Sequence, residues 1–425
     1  MKRALLACLA LASGISVVAQ QPARGDWPQW RGPNRDAISK DTGLLKEWKP
    51  GGPRLVFQRR ALGSGFSSVS LANGRIFTMG DLDGSQHVIA LDQASGNLLW
   101  LAQVGGTHQA DYAGPRGTPT TDGELLYAIG TDGDLVCLEA ATGKERWRRH
   151  MERDLGGQMM SGWRWSESPL VDGERVVVTP GGREAMVALD KKTGREIWHA
   201  VVPELGPKGR DGAAYSSIVI SEGAGVKQYV QLVGRGVIGV RASDGKFLWG
   251  NNSVANGTAN ISTPVVKGDY VFASTGYQTG SVLLKLSKEG DGVQAREVYF
   301  LDNRTFQNHH GGFVLVGDHI YGGHGHRNGF PIAIEFATGK VAWGGEGTRA
   351  QGKGSAAVAY ADGHVYMRYE DGTMILVEAT PTGYKPKGSF QIPNVTRPSW
   401  PHPVVAGGRL YLREQDTLYV YDVKG

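Results

Sequence analysis

Histidines crowd residues 309–326: His309 and His310 are adjacent in NHHGGF, and His324 and His326 follow in YGGHGHRNG. An H-x-H pair on a strand turns both imidazoles to one face, which is what a transition-metal site asks for. An imidazole beside a carboxylate would instead serve as a general base. No acidic or cysteine ligand accompanies the pair, and GGHGHRNG is as glycine-rich as a loop. The four therefore read as hairpin histidines, and neither a metal nor a catalytic residue is assigned. Cys137 lies in the apolar stretch DLVCLEA, the setting of a buried, unreactive thiol rather than a nucleophile. The sequence holds no nucleophile elbow, P-loop or dinucleotide fingerprint. The formal charge of +5 is spread without a basic run, which argues against nucleic-acid binding.

The start, MKRALLACLALASGISVVAQ, has a positive end, an apolar stretch over residues 4–18, and small residues at Val17 and Ala19. That is the pattern of a secretory signal cleaved after Ala19, and the stretch is shorter than the ~20 residues of a spanning helix. Residues 5–8, LLAC, also resemble a lipoprotein box, but cleavage there would leave too short an apolar core upstream of Cys8. The expected product is periplasmic or secreted, with Cys137 as its one cysteine and so no internal disulfide.

What must position any site is a repeated phrase. ALDQASGNLLW (90–100), LEAATGKERW (138–147), ALDKKTGREIW (188–198) and IEFATGKVAW (334–343) are versions of one another. Allowing Phe for Trp, the closing aromatics are Phe57, Trp100, Trp147, Trp198, Trp249, Phe300, Trp343 and Phe390, spaced 43 to 51 residues apart. That is the period of a four-stranded propeller blade. In each copy an apolar strand leads to an Asp and a Ser or Thr that can bond the turn, then to a glycine suited to positive φ. The next strand ends in an indole able to wedge between neighbouring blades. Upstream of each phrase another hairpin is marked by DG or GD pairs. The last copy stops before its outer strand, and PRLVFQRRALG near the N-terminus has the shape to supply it. The expected fold is all-β: an eight-bladed propeller of four-stranded antiparallel blades closed by the N-terminal strand. Residues 1–19 are the signal, 20–50 an N-terminal extension and 51–425 the propeller.

The phrase A-x-D-x-x-[ST]-G-x-x-x-W resembles the tryptophan-docking repeat of the pyrroloquinoline-quinone (PQQ) β-propellers, over nearly all of the mature chain. DWPQWRGPNRDAIS (26–39), WSESPLVDG (165–173) and NHHGGFVLVGD (308–318) are similar to a bacterial branch of these PQQ-like repeat proteins. The superfamily holds quinoprotein alcohol dehydrogenases, and also cofactor-free propellers such as the lipoprotein of the outer-membrane β-barrel assembly machinery. The resemblance implies either a binding and scaffold module or a PQQ-dependent dehydrogenase acting on an alcohol or sugar, with calcium bound to the cofactor. The chain lacks the adjacent cysteines and the C-x-x-C-H haem site of those dehydrogenases. The scaffold reading is preferred, and no cofactor is assigned.

Propeller ligands meet the mouth of the central channel, which the loops crossing from one blade to the next would line. Counted from the anchors, these loops offer Arg116, Trp165, Lys353 and Trp400 as cofactor-binding candidates. Tyr215, Asn260, His309, His310 and His402 are ligand-binding candidates, with Tyr112 and Trp163 nearby. The nearest acids are Glu167 and Asp111, too few for calcium. The expected partner is a protein or a small ligand at this mouth, and the chain is expected to be a monomer without a transmembrane span.

Overall fold

Among the described residues, stretches of alternating apolar residues form 32 strands, and these pair into eight four-stranded antiparallel sheets arranged as a propeller. The protein is represented by a computed structural model that describes residues 25–108, 111–182 and 184–425. The signal segment and Cys8 lie outside the described residues. Among the described residues the single 3-10 turn Gly223–Gly225 is the only helical element. The first three strands of each blade are largely buried; Leu125–Ile129, for instance, is buried throughout. The outer strands are half exposed, as Glu145–His150 shows. Apolar residues gather into clusters between blades rather than into one centre. Phe77, Met79, Val88 and Ala90 of one blade pack on Leu126, Ala128, Val136 and Leu138 of the next.

The repeated phrase builds both the hairpin and the joint to its neighbour. Asp190 Oδ1 accepts the Thr193 backbone N–H at 2.9 Å and the Thr193 hydroxyl at 2.7 Å, and Asp92 does the same for Ser95 at 2.8 and 2.7 Å. Gly194 then turns the chain at φ +67°. Across the hairpin each indole faces a small residue: Trp100 opposite Ala90, Trp147 opposite Cys137, Trp198 opposite Ala188, Trp343 opposite Ala333. The glycine has a second task. A Cβ on Gly143 would stand 2.5 Å from the Trp100 ring, one on Gly194 2.7 Å from Trp147, and one on Gly245 2.6 Å from Trp198. The ring of one blade thus lies on the bare turn of the next, and Trp147 Nε1 also donates to the Lys191 carbonyl at 2.9 Å.

The fifth blade breaks the pattern. Its lengthened hairpin, Gly280–Glu289 with Gly292–Asp302, has no such turn to receive Trp249, whose Nε1 bonds Gln228 within its own blade. The expected anchor Phe300 is exposed, and Tyr299 takes its place opposite Leu283 with its ring against Gly339. The correction has a simple cause: successive strand residues face opposite sides, so an anchor displaced by one residue points away from the joint.

The ring closes as the sequence predicts. Arg54–Arg59 runs antiparallel to Thr417–Asp422 as the outer strand of the last blade, and Phe57 lies against Gly96 of the first. The residues before that strand enter the ring and bond every blade. Trp27 pairs with Leu71 of the first blade, and the Pro28 carbonyl accepts Thr121 N–H of the second. Arg35 donates to the carbonyls of Ser168, Pro169 and Ile218, which lead into the third and fourth. Trp30 Nε1 reaches Thr263 Oγ1, before the fifth, and Arg31 the Phe313 carbonyl of the sixth. Ala37 and Ser39 bond Tyr360 of the seventh, and Leu45 bonds Val423 beside the eighth. Arg31 and Arg35 are each only 2% exposed, so two guanidinium groups sit at the centre of the protein.

Candidate functional site

In a four-stranded antiparallel blade, the crossing loop and the turn between the two middle strands fall at the same end. Both sets of loops surround a cavity of about 360 Å³ at the channel mouth. Crossing loops supply Phe66, Tyr112, Arg116, Trp163, Tyr215, His309, His310, Trp400 and His402. Middle-strand turns supply Tyr277, Arg327 and Glu370. Trp30 and Arg31 of the N-terminal segment also line it. With the channel behind them occupied by that segment, they make it a cup rather than a passage.

The wall is held by ring contacts and interblade hydroxyl bonds. His310 stacks on Trp400 with centroids 4.4 Å apart and planes 9° apart, and Phe66 and Tyr112 pack on the same indole at 4.9 and 4.8 Å. Trp30 packs on His402 at 4.4 Å, and His309 touches His310 at 4.0 Å and His326 at 4.2 Å. Deeper in the ring a hydroxyl in each of three successive blades accepts the backbone N–H of the blade before. Thr118 N bonds Ser168 Oγ at 2.9 Å, Ser168 N bonds Ser217 Oγ at 3.0 Å, and Ser217 N bonds Thr263 Oγ1 at 3.3 Å. Tyr215 Oη accepts the Trp163 N–H and bonds Ser161 Oγ at 2.7 Å, fixing the loop that carries Trp163.

The electrostatics are one-sided. Arg116 donates to the Trp163 and Tyr112 carbonyls, each at 2.7 Å, and so is fixed in direction. Burial lowers Arg116 and Arg31 to about 10, which still leaves both charged at neutral pH. Burial, then neighbouring imidazoles and guanidinium groups, holds His310 down at about 3. His309, His326 and His402 are lowered too, burial being the main cause in each. The cup thus combines fixed positive charge with neutral imidazoles, and among the described residues Glu370 is the one carboxylate in its lining.

Six of the nine residues predicted for the mouth come together here: Arg116, Tyr215, His309, His310, Trp400 and His402. Three lie elsewhere. Trp165 is buried between the second and third blades with its ring against Gly133. Lys353 is exposed, beside Asp371. Asn260 is fully buried, donating to the Val233 and Gly234 carbonyls at 3.0 Å each and clasping a turn. Glu167 is no lining acid either: its oxygens take the Thr179 N–H at 2.7 Å and the Thr179 hydroxyl at 2.9 Å beneath the wall. His324 is buried in its strand, whereas His326 lies in the turn beyond it. Trp30, Arg31, Tyr277, Arg327 and Glu370 escaped the sequence reading. The middle-strand turn signals that carry the last three, YQTG, HRNG and EDG, were legible.

A calcium-held quinone fits this lining poorly. Calcium takes six to eight oxygen ligands, whereas the cup offers one carboxylate, and no group of three or more His, Cys, Asp or Glu able to hold a metal occurs among the described residues.

Comparison with known proteins agrees with this fold. A family model described as outer membrane protein assembly factor BamB matches residues 34–153 and 84–345. The BamB of Burkholderia pseudomallei is 27% identical over 270 residues, which are 60% of this chain and 64% of that protein. The match thus spans less than two thirds of the relative's length. Among solved structures, BamB from Moraxella catarrhalis superposes with a TM-score of 0.60 at 14% identity, covering 87% of this chain and 99% of that one. The quinohemoprotein alcohol dehydrogenase of Comamonas testosteroni gives 0.62 at 13% identity, covering 94% and 81%. At such identities the structural likeness is one of fold alone.

Proposed function

The chain belongs to the family described as outer membrane protein assembly factor BamB, and from that premise we propose that it is a non-catalytic binding and scaffold module in outer-membrane protein assembly. Its leader directs it to the periplasm, where it works as a monomer and meets a protein partner at the mouth of the cup. The observation that carries the reading is the cup itself. Its rings are packed on one another, and its best-placed cation is bonded to the loops that hold it. Its histidines are kept neutral, and among the described residues none in the cup bonds a carboxylate. That is a recognition surface rather than a set of acids and bases matched to a reaction. Deleting the gene in its host should lower the β-barrel proteins of the outer membrane, and the intact chain should restore them. Unchanged outer-membrane protein levels would refute the reading.

A further inference from the structure

The cup has an outlet. A second cavity of about 380 Å³ lies over the rim, lined by Asp111, Ser161, Arg210 and Thr258, and Trp163 lines both. A ligand would therefore find a recess closed at its inner end, an indole at the threshold, and an open groove beyond. A recess closed by Trp30 and Arg31 admits the end of a chain and not its middle. The sign of charge selects which end. Arg31 and Arg116 face a cup with one carboxylate, in a setting where burial weakens solvent screening, so a negative end is attracted and an ammonium is repelled. The orientation of Arg116 is set before a ligand arrives. Its bonds to the Trp163 and Tyr112 carbonyls use two of the five N–H donors of a guanidinium. Arg31 is a second, independent pointer. It is 2% exposed, and although Asp36 lies close enough to offset part of its charge, its Nε and Nη1 have no protein partner, so two donor nitrogens stand unbonded at the cup floor. The rings of Trp163, Tyr277 and Trp400 supply apolar surface for a side chain next to the carboxylate.

We infer that the cup captures the carboxyl terminus of an extended peptide, with the terminal carboxylate held by Arg116 under the field of Arg31. An aromatic or large apolar last side chain would lie among the rings, and the preceding residues would leave past Trp163 along the groove. The choice of a peptide over another organic anion rests on the scaffold reading. The closed recess and the charge stand without it.

The test is fluorescence anisotropy with a labelled eight-residue peptide of Gly and Ser ending in Phe, prepared as the free acid and as the amide. The purified chain should bind the acid, and the amide at least roughly tenfold more weakly, as befits a lost charge-assisted bond. Arg116→Gln should remove the difference between acid and amide, and Trp163→Ala should weaken both. The acid-to-amide ratio needs no variant, so it stands even if Arg116→Gln disturbs the loops. Equal binding of acid and amide would overturn the inference. So would glucuronate or acetate competing as tightly as the peptide, which would make this a small-anion site. Absence of binding at millimolar peptide would overturn it while leaving the outer-membrane phenotype, and with it the scaffold reading, untouched.

Discussion

Gly194→Ala tests the joint between blades most directly. The new methyl would meet the Trp147 ring at 2.7 Å, and the residue would sit at φ +67°. Two costs add. An L-residue in the left-handed region costs about 1–2 kcal/mol. Overpacking against a ring that is already bonded to Lys191 costs about 1–3 kcal/mol more. The expected loss is therefore about 2–5 kcal/mol. Gly173→Ala is the matched control, with φ +60° and nothing within 4 Å of its Cβ, so it should show only the first cost. The difference between the two substitutions isolates the interblade contact. In a Trp147→Ala background the ring is gone, and the two glycine substitutions should become equally costly. Denaturant titrations followed by far-ultraviolet circular dichroism, with unchanged slope, would measure all of these. Equal losses at Gly173 and Gly194 in the parent, or a persistent gap after Trp147→Ala, would show that the turn does not carry the ring.

Two further outcomes follow from the buried charges. Arg35→Met should cost several kcal/mol in the same titrations, since it strips the donor from the carbonyls of Ser168, Pro169 and Ile218 at once; a loss under about 1 kcal/mol would mean that the segment does not pin the ring. Glu167 is raised by burial to about 7, against the donors of Thr179 and the charge of Arg35. A folded-state value above the unfolded one means that the native protein holds the proton more tightly. Stability from this group is therefore full below the unfolded value of 4.5 and declines as pH rises towards about 7. Glu167→Gln should remove that decline, about 3 kcal/mol at most, and parallel pH profiles for the two proteins would refute the assignment.

The sequence was most legible where physics is local. An Asp, a Ser or Thr and a Gly in fixed order make a turn from neighbouring residues, so each copy announced its hairpin and the spacing announced the blade. Closure was also legible, because the last repeat needed an outer strand and residues 54–59 had its pattern. The anchor in the fifth blade failed by one residue, since Tyr299 and Phe300 are both aromatic and only the pairing with Leu283 decides which faces inward. For the cup, the crossing loops were read and the middle-strand turns were not, although antiparallel alternation sends both to one end. That omission cost Tyr277, Arg327 and Glu370. Trp165 and Trp163 are two apart and similar in type, and only packing separates a buried core ring from a lining one. Arg31 and Arg35 were least accessible of all. Their partners lie 282 and up to 183 residues away, beyond the reach of any local pattern.

The segment that bonds all eight blades sets an order of events. It leaves the ribosome and crosses any export channel before a single blade exists, yet its seat is complete only when the strand Thr417–Asp422 has formed. Until then the first residues must wait unseated, the partial ring carries open strand edges, and the loop to be closed grows with every blade added. Folding is thereby tied to the completion of the chain, and the nascent protein is most exposed to misassociation just before that point. Once seated, the same segment works in reverse as a latch. No blade can leave the ring without breaking bonds to the centre, so opening the ring costs those bonds as well as the contacts between blades.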